Sequence, residues 1–235
     1  MENVVFTDFG SHASLLTYKD GNKATGDVGQ SCTRKKKPMV TAARAAAIFK
    51  EMLSSRREYC ADSDFFRAVD VWEWMAEGTS GTKIKAYREV ASSELQFKAG
   101  VVAFGDNVTL VVDGRLLELA RKGSKQANFV LAHELGHLGL NHHARGAVVK
   151  NFQLFAQGSD MANVPPTTEE LEANLAAIFF QCGLALLDDR RDDLSLAHRA
   201  ITDVYTTKKA RDIVRQDAFR SELSKLMQPK LRLLL

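Results

Sequence analysis

His133 and His137 stand four residues apart with a carboxylate, Glu134, directly after the first, in the stretch His133-Glu134-Leu135-Gly136-His137. Residues at that spacing share one helix face, so both imidazoles can reach a single metal ion from the same side. Zinc takes neutral imidazole readily, and a catalytic zinc keeps three protein ligands and leaves a position for water. Glu134 is then placed to act on that water as general base. The chemistry this points to is metal-assisted hydrolysis. It requires a helix under the motif and a third ligand from elsewhere in the chain.

The helix is expected from Gln126 to His143, a stretch without proline in which Leu131, Leu135 and Leu138 recur at helical spacing. At about 100° per residue, His133 and His137 lie about 40° apart on the opposite face, flanked by Val130 and Leu140. A helix apolar on both sides is a buried one, and histidines on it must be paired, hydrogen-bonded or metal-bound.

The third ligand is expected on a second helix, Thr167 to Leu187, which offers Glu169, Glu170 and Glu172. Pro165-Pro166 closes the preceding segment and Thr167 is a good N-cap. Thr167 and Glu170 have capping-box spacing, which gives Glu170 a local structural role. On the helical wheel Glu170 groups with Asn174, Ala177 and Gln181, the polar side. Glu172 falls at the edge of the face formed by Leu171, Leu175, Ile178 and Cys182. A carboxylate turned towards the core needs a partner. Glu172 is therefore the expected ligand, with Glu169 second.

The run from Phe129 to Leu138, containing Ala132-His133-Glu134-Leu135-Gly136-His137, followed later by Glu170-Leu171-Glu172-Ala173-Asn174, resembles the ImmA/IrrE metallopeptidase family. The resemblance spans roughly residues 69 to 187. It implies a zincin-like α+β fold, zinc (Zn2+) held by His133, His137 and Glu172, water activation by Glu134, and endopeptidase activity on a protein or peptide. It also implies a helix-turn-helix repressor as the class of substrate, in a stress or mobile-element response. The chain departs from the family pattern in a longer interval between the motifs, containing Phe152, Leu154 and Phe155. It also reads Phe179-Phe180-Gln181-Cys182-Gly183 where the family has a Leu-Leu-x-Pro-like stretch. Neither departure removes a proposed ligand. The alternative from another class is a non-catalytic regulator that keeps the fold and binds DNA or a protein; Glu134 opposes it, because a structural zinc site has no need of a general base.

The remaining elements must position this machinery. Thr41 caps an alanine-rich helix to about Arg57, and a second helix is expected from near Ser63 to Met75, with Trp72 and Trp74 as packing residues. Lys83–Val90, Leu95–Phe104 and Asn107–Val112 read as strands of a small, mainly antiparallel sheet against the motif helix. The resemblance implies that an edge of this sheet binds substrate as an added strand, which would give affinity for any extended peptide. Candidate oxyanion donors are His142, His143 and Tyr205, the two histidines being turned away from the metal face by the wheel.

Organisation is expected as a flexible arm at 1–40, a metallopeptidase domain at 41–187 and a helical C-terminal region at 188–235. The arm ends in Arg34-Lys35-Lys36-Lys37-Pro38, a basic cluster available to nucleic acid or an acidic partner. Asp188 to Asp193 reads as a solvated hinge. Leu194–Val204 and Thr206–Phe219 read as two amphipathic helices around a turn, a second candidate for DNA contact. His198 reads as a surface or packing residue. A net charge of +3 over 235 residues does not by itself argue for nucleic acid. Three widely separated cysteines, no basic-then-apolar leader and no apolar run long enough for a bilayer lead to a cytoplasmic expectation, with no membrane partner. Oligomeric state is not specified by the sequence.

Overall fold

The computed structural model describes residues 39–57, 59, 65–76, 84–90, 99–104, 107–142 and 167–227. The basic cluster, His143, Phe152, Leu154 and Phe155 lie outside these residues. The elements are α1 (Ala42–Arg56), α2 (Ala68–Ala76), β1 (Ile84–Val90), β2 (Ala99–Phe104), β3 (Asn107–Asp113), α3 (Gly114–Arg121), α4 (Lys125–Gly139) and α5 (Thr168–Cys182). A 3-10 turn (Gly183–Leu187) leads to α6 (Asp193–Ala200), α7 (Val204–Val214) and α8 (Asp217–Met227). The result is an α+β architecture of helices packed on a small sheet, with a zincin-like core.

The sheet has the order β1-β3-β2. β2 and β3 pair antiparallel, from Ala99 opposite Val112 to Phe104 opposite Asn107, as the short connection between them dictates. β1 pairs with β3 in parallel, so the sheet is mixed where a mainly antiparallel one was expected. β1 runs opposite to β2 and β2 opposite to β3, so β1 and β3 run the same way, and the strand order sets them side by side. Leu110, Val111 and Val112 on β3 are all buried, the pattern of a central strand covered on both faces.

α4 is the central helix. It packs most extensively on α5, and also on α2, α3 and β2. Gly136 makes the approach to α5 possible, since a Cβ there would stand 2.8 Å from the Ala173 carbonyl oxygen. Trp72 is fully buried and donates its indole N–H to the Leu131 carbonyl at 3.0 Å, tying α2 to α4. Asn128, also buried, accepts from the Val69 amide and donates to the Ala120 carbonyl, so three helices meet at one side chain. α3, capped by Asp113, has no counterpart in the sequence reading.

Three further expectations are corrected. Among the described residues the tail holds three helices, because the run Thr206–Phe219 breaks at Arg215-Gln216 and restarts at Asp217. α8 packs on α1 through Phe219 and Phe49, whose rings meet edge-on at 5.8 Å, so the C-terminal helices share the core. Finally, Thr168–Leu187 is by length and composition apolar enough to cross a membrane, where no such run was expected. It is 78% buried inside the fold, as a core helix is.

Candidate metal centre

α4 and α5 build the site, and each begins with a side-chain cap. Ser124 accepts from the Ala127 amide and Thr167 from the Glu170 amide, each at 3.3 Å. Capping fixes the rotation of each helix from its first turn, and hence where its side chains point.

His133 and His137 project from α4 with their Nε2 atoms 3.0 Å apart. The carboxylate of Glu170 on α5 spans them, 3.1 Å from His133 Nε2 and 3.4 Å from His137 Nε2. Ligand atoms held about 2.0–2.1 Å from a tetrahedral zinc stand about 3.3 Å from one another. His133, His137 and Glu170 therefore have the spacing and the chemistry of a three-ligand metal site.

Glu172 is placed elsewhere. Its two oxygens take a fork from Arg44 of α1, from Nε at 2.8 Å and Nη2 at 2.5 Å, and Oε2 also lies 3.2 Å from His142 Nε2. The third carboxylate in the cluster is thus Glu170 rather than the Glu172 expected from the wheel, and Glu169 is not part of the cluster. The wheel grouped Glu170, Asn174 and Gln181 as the polar side and left Glu170 a capping role. In the folded chain the first half of that side faces the histidines of α4, Asn174 Oδ1 meeting His133 Nδ1 at 2.9 Å, while Gln181 further along is fully buried and donates to the Ala200 carbonyl of α6 at 3.2 Å.

His142 also departs from expectation. α4 ends at Gly139, and Asn141 adopts the left-handed conformation (φ 56°) common at helix C-termini. The chain turns back, placing His142 Nδ1 2.8 Å from His137 Nδ1, whereas the wheel presumes an unbroken helix. Tyr205 lies on the surface, 45% exposed, with the Lys209 ammonium over its ring.

The electrostatics follow from the geometry. Burial disfavours charge on His133, but the hydrogen bond and negative charge of Glu170 outweigh it and raise its pKa to about 9. Burial keeps His137 below the ordinary range despite its contact with Glu170. Glu170, although buried, is held far below the usual carboxylate range by its bonds to the two imidazoles. Two ring nitrogens and two carboxylate oxygens converge here, and such a set needs a cation between them. A divalent metal fits that place.

Glu134 is 1% exposed. Burial pushes its carboxyl up to about 8, against the opposing charge of His133 and the approach of the Val101 amide on β2. Neither of its oxygens has a hydrogen-bond partner of normal geometry among the described residues. A buried carboxyl that can change protonation near neutrality is what a general base requires.

Fold and site together define a metallopeptidase with a zincin-like core. The family whose sequence model matches is peptidase family M48, over residues 73–189, from the end of α2 to just past the 3-10 turn. No curated protein and no solved structure matches the chain. Sequence reasoning weighed Glu170 but gave it a capping role, named His142 only as a candidate oxyanion donor, and gave no role to Asn174 or Arg44. Asn174 lies one helical turn from Glu170, which is a readable signal; Arg44, 128 residues from Glu172, offers none.

Proposed function

We propose that the chain is a zinc-dependent endopeptidase. The observation that carries this reading is the buried, unpartnered carboxyl of Glu134 beside a His133–His137–Glu170 cluster of ligand spacing. Zinc in this set supplies Lewis-acid chemistry, polarising a carbonyl and making water more acidic. His133, His137 and Glu170 would hold it. Glu134 accepts the proton of the attacking water and returns it to the leaving amide nitrogen. β2 lies against α4 near this carboxyl, and its backbone suits an extended peptide seated as an added strand.

The finer kinship with ImmA/IrrE proteins is supported by the motifs around His133 and Glu170 alone. The reading that follows from it is a cytoplasmic protease acting on a helix-turn-helix repressor, with DNA contact through the basic arm or the C-terminal helices as a further possibility of the same reading. The regulator alternative gains no observation, since it leaves the state of Glu134 without a purpose.

The test is metal content by mass spectrometry on full-length protein, together with cleavage of an unfolded protein substrate. About one zinc per chain is expected in wild type, lost in Glu170→Ala and His133→Ala together with cleavage. Full zinc in Glu170→Ala would overturn the ligand set; zinc without cleavage of any extended substrate would overturn the enzyme reading.

A further inference from the structure

Each of the two histidines of the cluster has a second ring nitrogen, and the groups on those nitrogens differ in reach. His133 Nδ1 meets an amide oxygen, Asn174 Oδ1, which only accepts, so Nδ1 carries the hydrogen and Nε2 is left to the cluster. His137 has no such fixed acceptor. Its Nδ1 faces another imidazole nitrogen, His142 Nδ1, and two imidazoles alone leave open which of them donates.

The answer comes from further away. Arg44 grips both oxygens of Glu172 in a planar fork, the geometry that keeps a carboxylate ionised. An ionised carboxylate only accepts, so the hydrogen between it and His142 sits on His142 Nε2. The tautomer of His142 that donates from Nε2 to Glu172 presents a bare Nδ1 to His137. His137 Nδ1 must donate to it, and the lone pair of His137 is left on Nε2, facing Glu170.

We propose that Arg44, Glu172 and His142 form a positioning relay that fixes His137 in its metal-binding tautomer and ring orientation. The relay deepens the metallopeptidase reading and rests on it. It is nearly all buried: Glu172 and His142 are 6% and 2% exposed, and only the Arg44 side chain reaches solvent. It also leaves the stretch matched by the family model, because Arg44 sits on α1, ahead of residue 73. The matched segment holds the ligands together with His142 and Glu172, and α1 supplies the charge that orients them. Groups behind metal-bound histidines change metal affinity by about 10–100-fold when removed.

The experiment is zinc affinity by chelator competition on the full chain, for wild type, Arg44→Met, Arg44→Lys, Glu172→Gln, His142→Phe and the Arg44→Met/His142→Phe double variant, with melting temperatures alongside. About 10–100-fold weaker zinc binding is expected for Glu172→Gln and His142→Phe, and a smaller loss for Arg44→Met that Arg44→Lys partly restores. The double variant should lose no more than His142→Phe alone, because both act on the same tautomer. Saturating zinc should restore cleavage in all of them. Melting temperatures that fall while zinc affinity stays within twofold of wild type would overturn the relay and leave the metal site standing. Additive losses in the double variant would also overturn the relay. A wild-type chain that binds no zinc would overturn the metal reading and the relay with it.

Discussion

Glu134 and Arg211 are two buried charged side chains in one molecule, treated in opposite ways. Arg211, in the C-terminal helices, is fully enclosed, yet its guanidinium donates to Asp193 Oδ1 at 3.1 Å and to the Asp188 carbonyl at 2.9 Å. Glu134, in the α4–α5 region, is almost as deeply enclosed, and both of its oxygens lack a partner among the described residues. Burying a charge is costly unless it is paired, so a structural charge acquires partners and stays ionised. A carboxyl left without them has its proton affinity raised instead, here to about 8. The difference teaches where the fold tolerates instability: the pairing at Arg211 holds helices together, and the missing pairing at Glu134 leaves a group free to move protons.

The largest effect that would break this contrast is on turnover. Glu134→Gln should lower cleavage by about 10²–10⁴-fold while zinc content stays at the wild-type value. Its melting temperature should be unchanged or raised, since a neutral amide of the same shape is easier to bury. A fall in stability matching the fall in activity would make Glu134 a structural residue after all.

Arg211→Met is the converse. It should cost roughly 3 kcal/mol of folding stability in denaturant titration, towards the lower end for a broken buried pair because Asp193 still reaches water. Zinc affinity of the folded variant should match wild type. Equal loss of zinc binding would show that the two regions are coupled and not separate in role.

The smallest effect sharpens the assignment of Glu170. Thr167→Ala removes the cap that holds the Glu170 amide and should cost about 1 kcal/mol, seen as a lower melting temperature, without lowering zinc stoichiometry. Loss of zinc there would mean that Glu170 depends on its cap, and not on the packing of α5 against α4, for its position.

The sequence reading was strongest where geometry is local. That His133 and His137 share one helix face was legible because four residues make about one helical turn, and Thr41 and Thr167, read as caps, start their helices in the fold. β2 and β3 were legible from their apolar runs and the short link between them. The wheel failed at Glu170 and Glu172 because it ranks faces by polarity, whereas the polar face of α5 turns inwards to meet the histidines of α4. It failed at His142 because Asn141 ends the helix in a left-handed residue, and from there helical periodicity says nothing about direction.

The chain by itself thus determined the class of chemistry: two imidazoles and a carboxylate on one helix, fixed by a period that depends only on backbone hydrogen bonds. Which carboxylate joins them, and which side chains stand behind them, was decided by tertiary structure. Gly136 lets α4 approach α5 closely enough for Glu170 to span both rings, and α1 brings Arg44 to Glu172 across 128 residues of sequence. Contacts at that separation come from packing many side chains at once, and no local pattern encodes them.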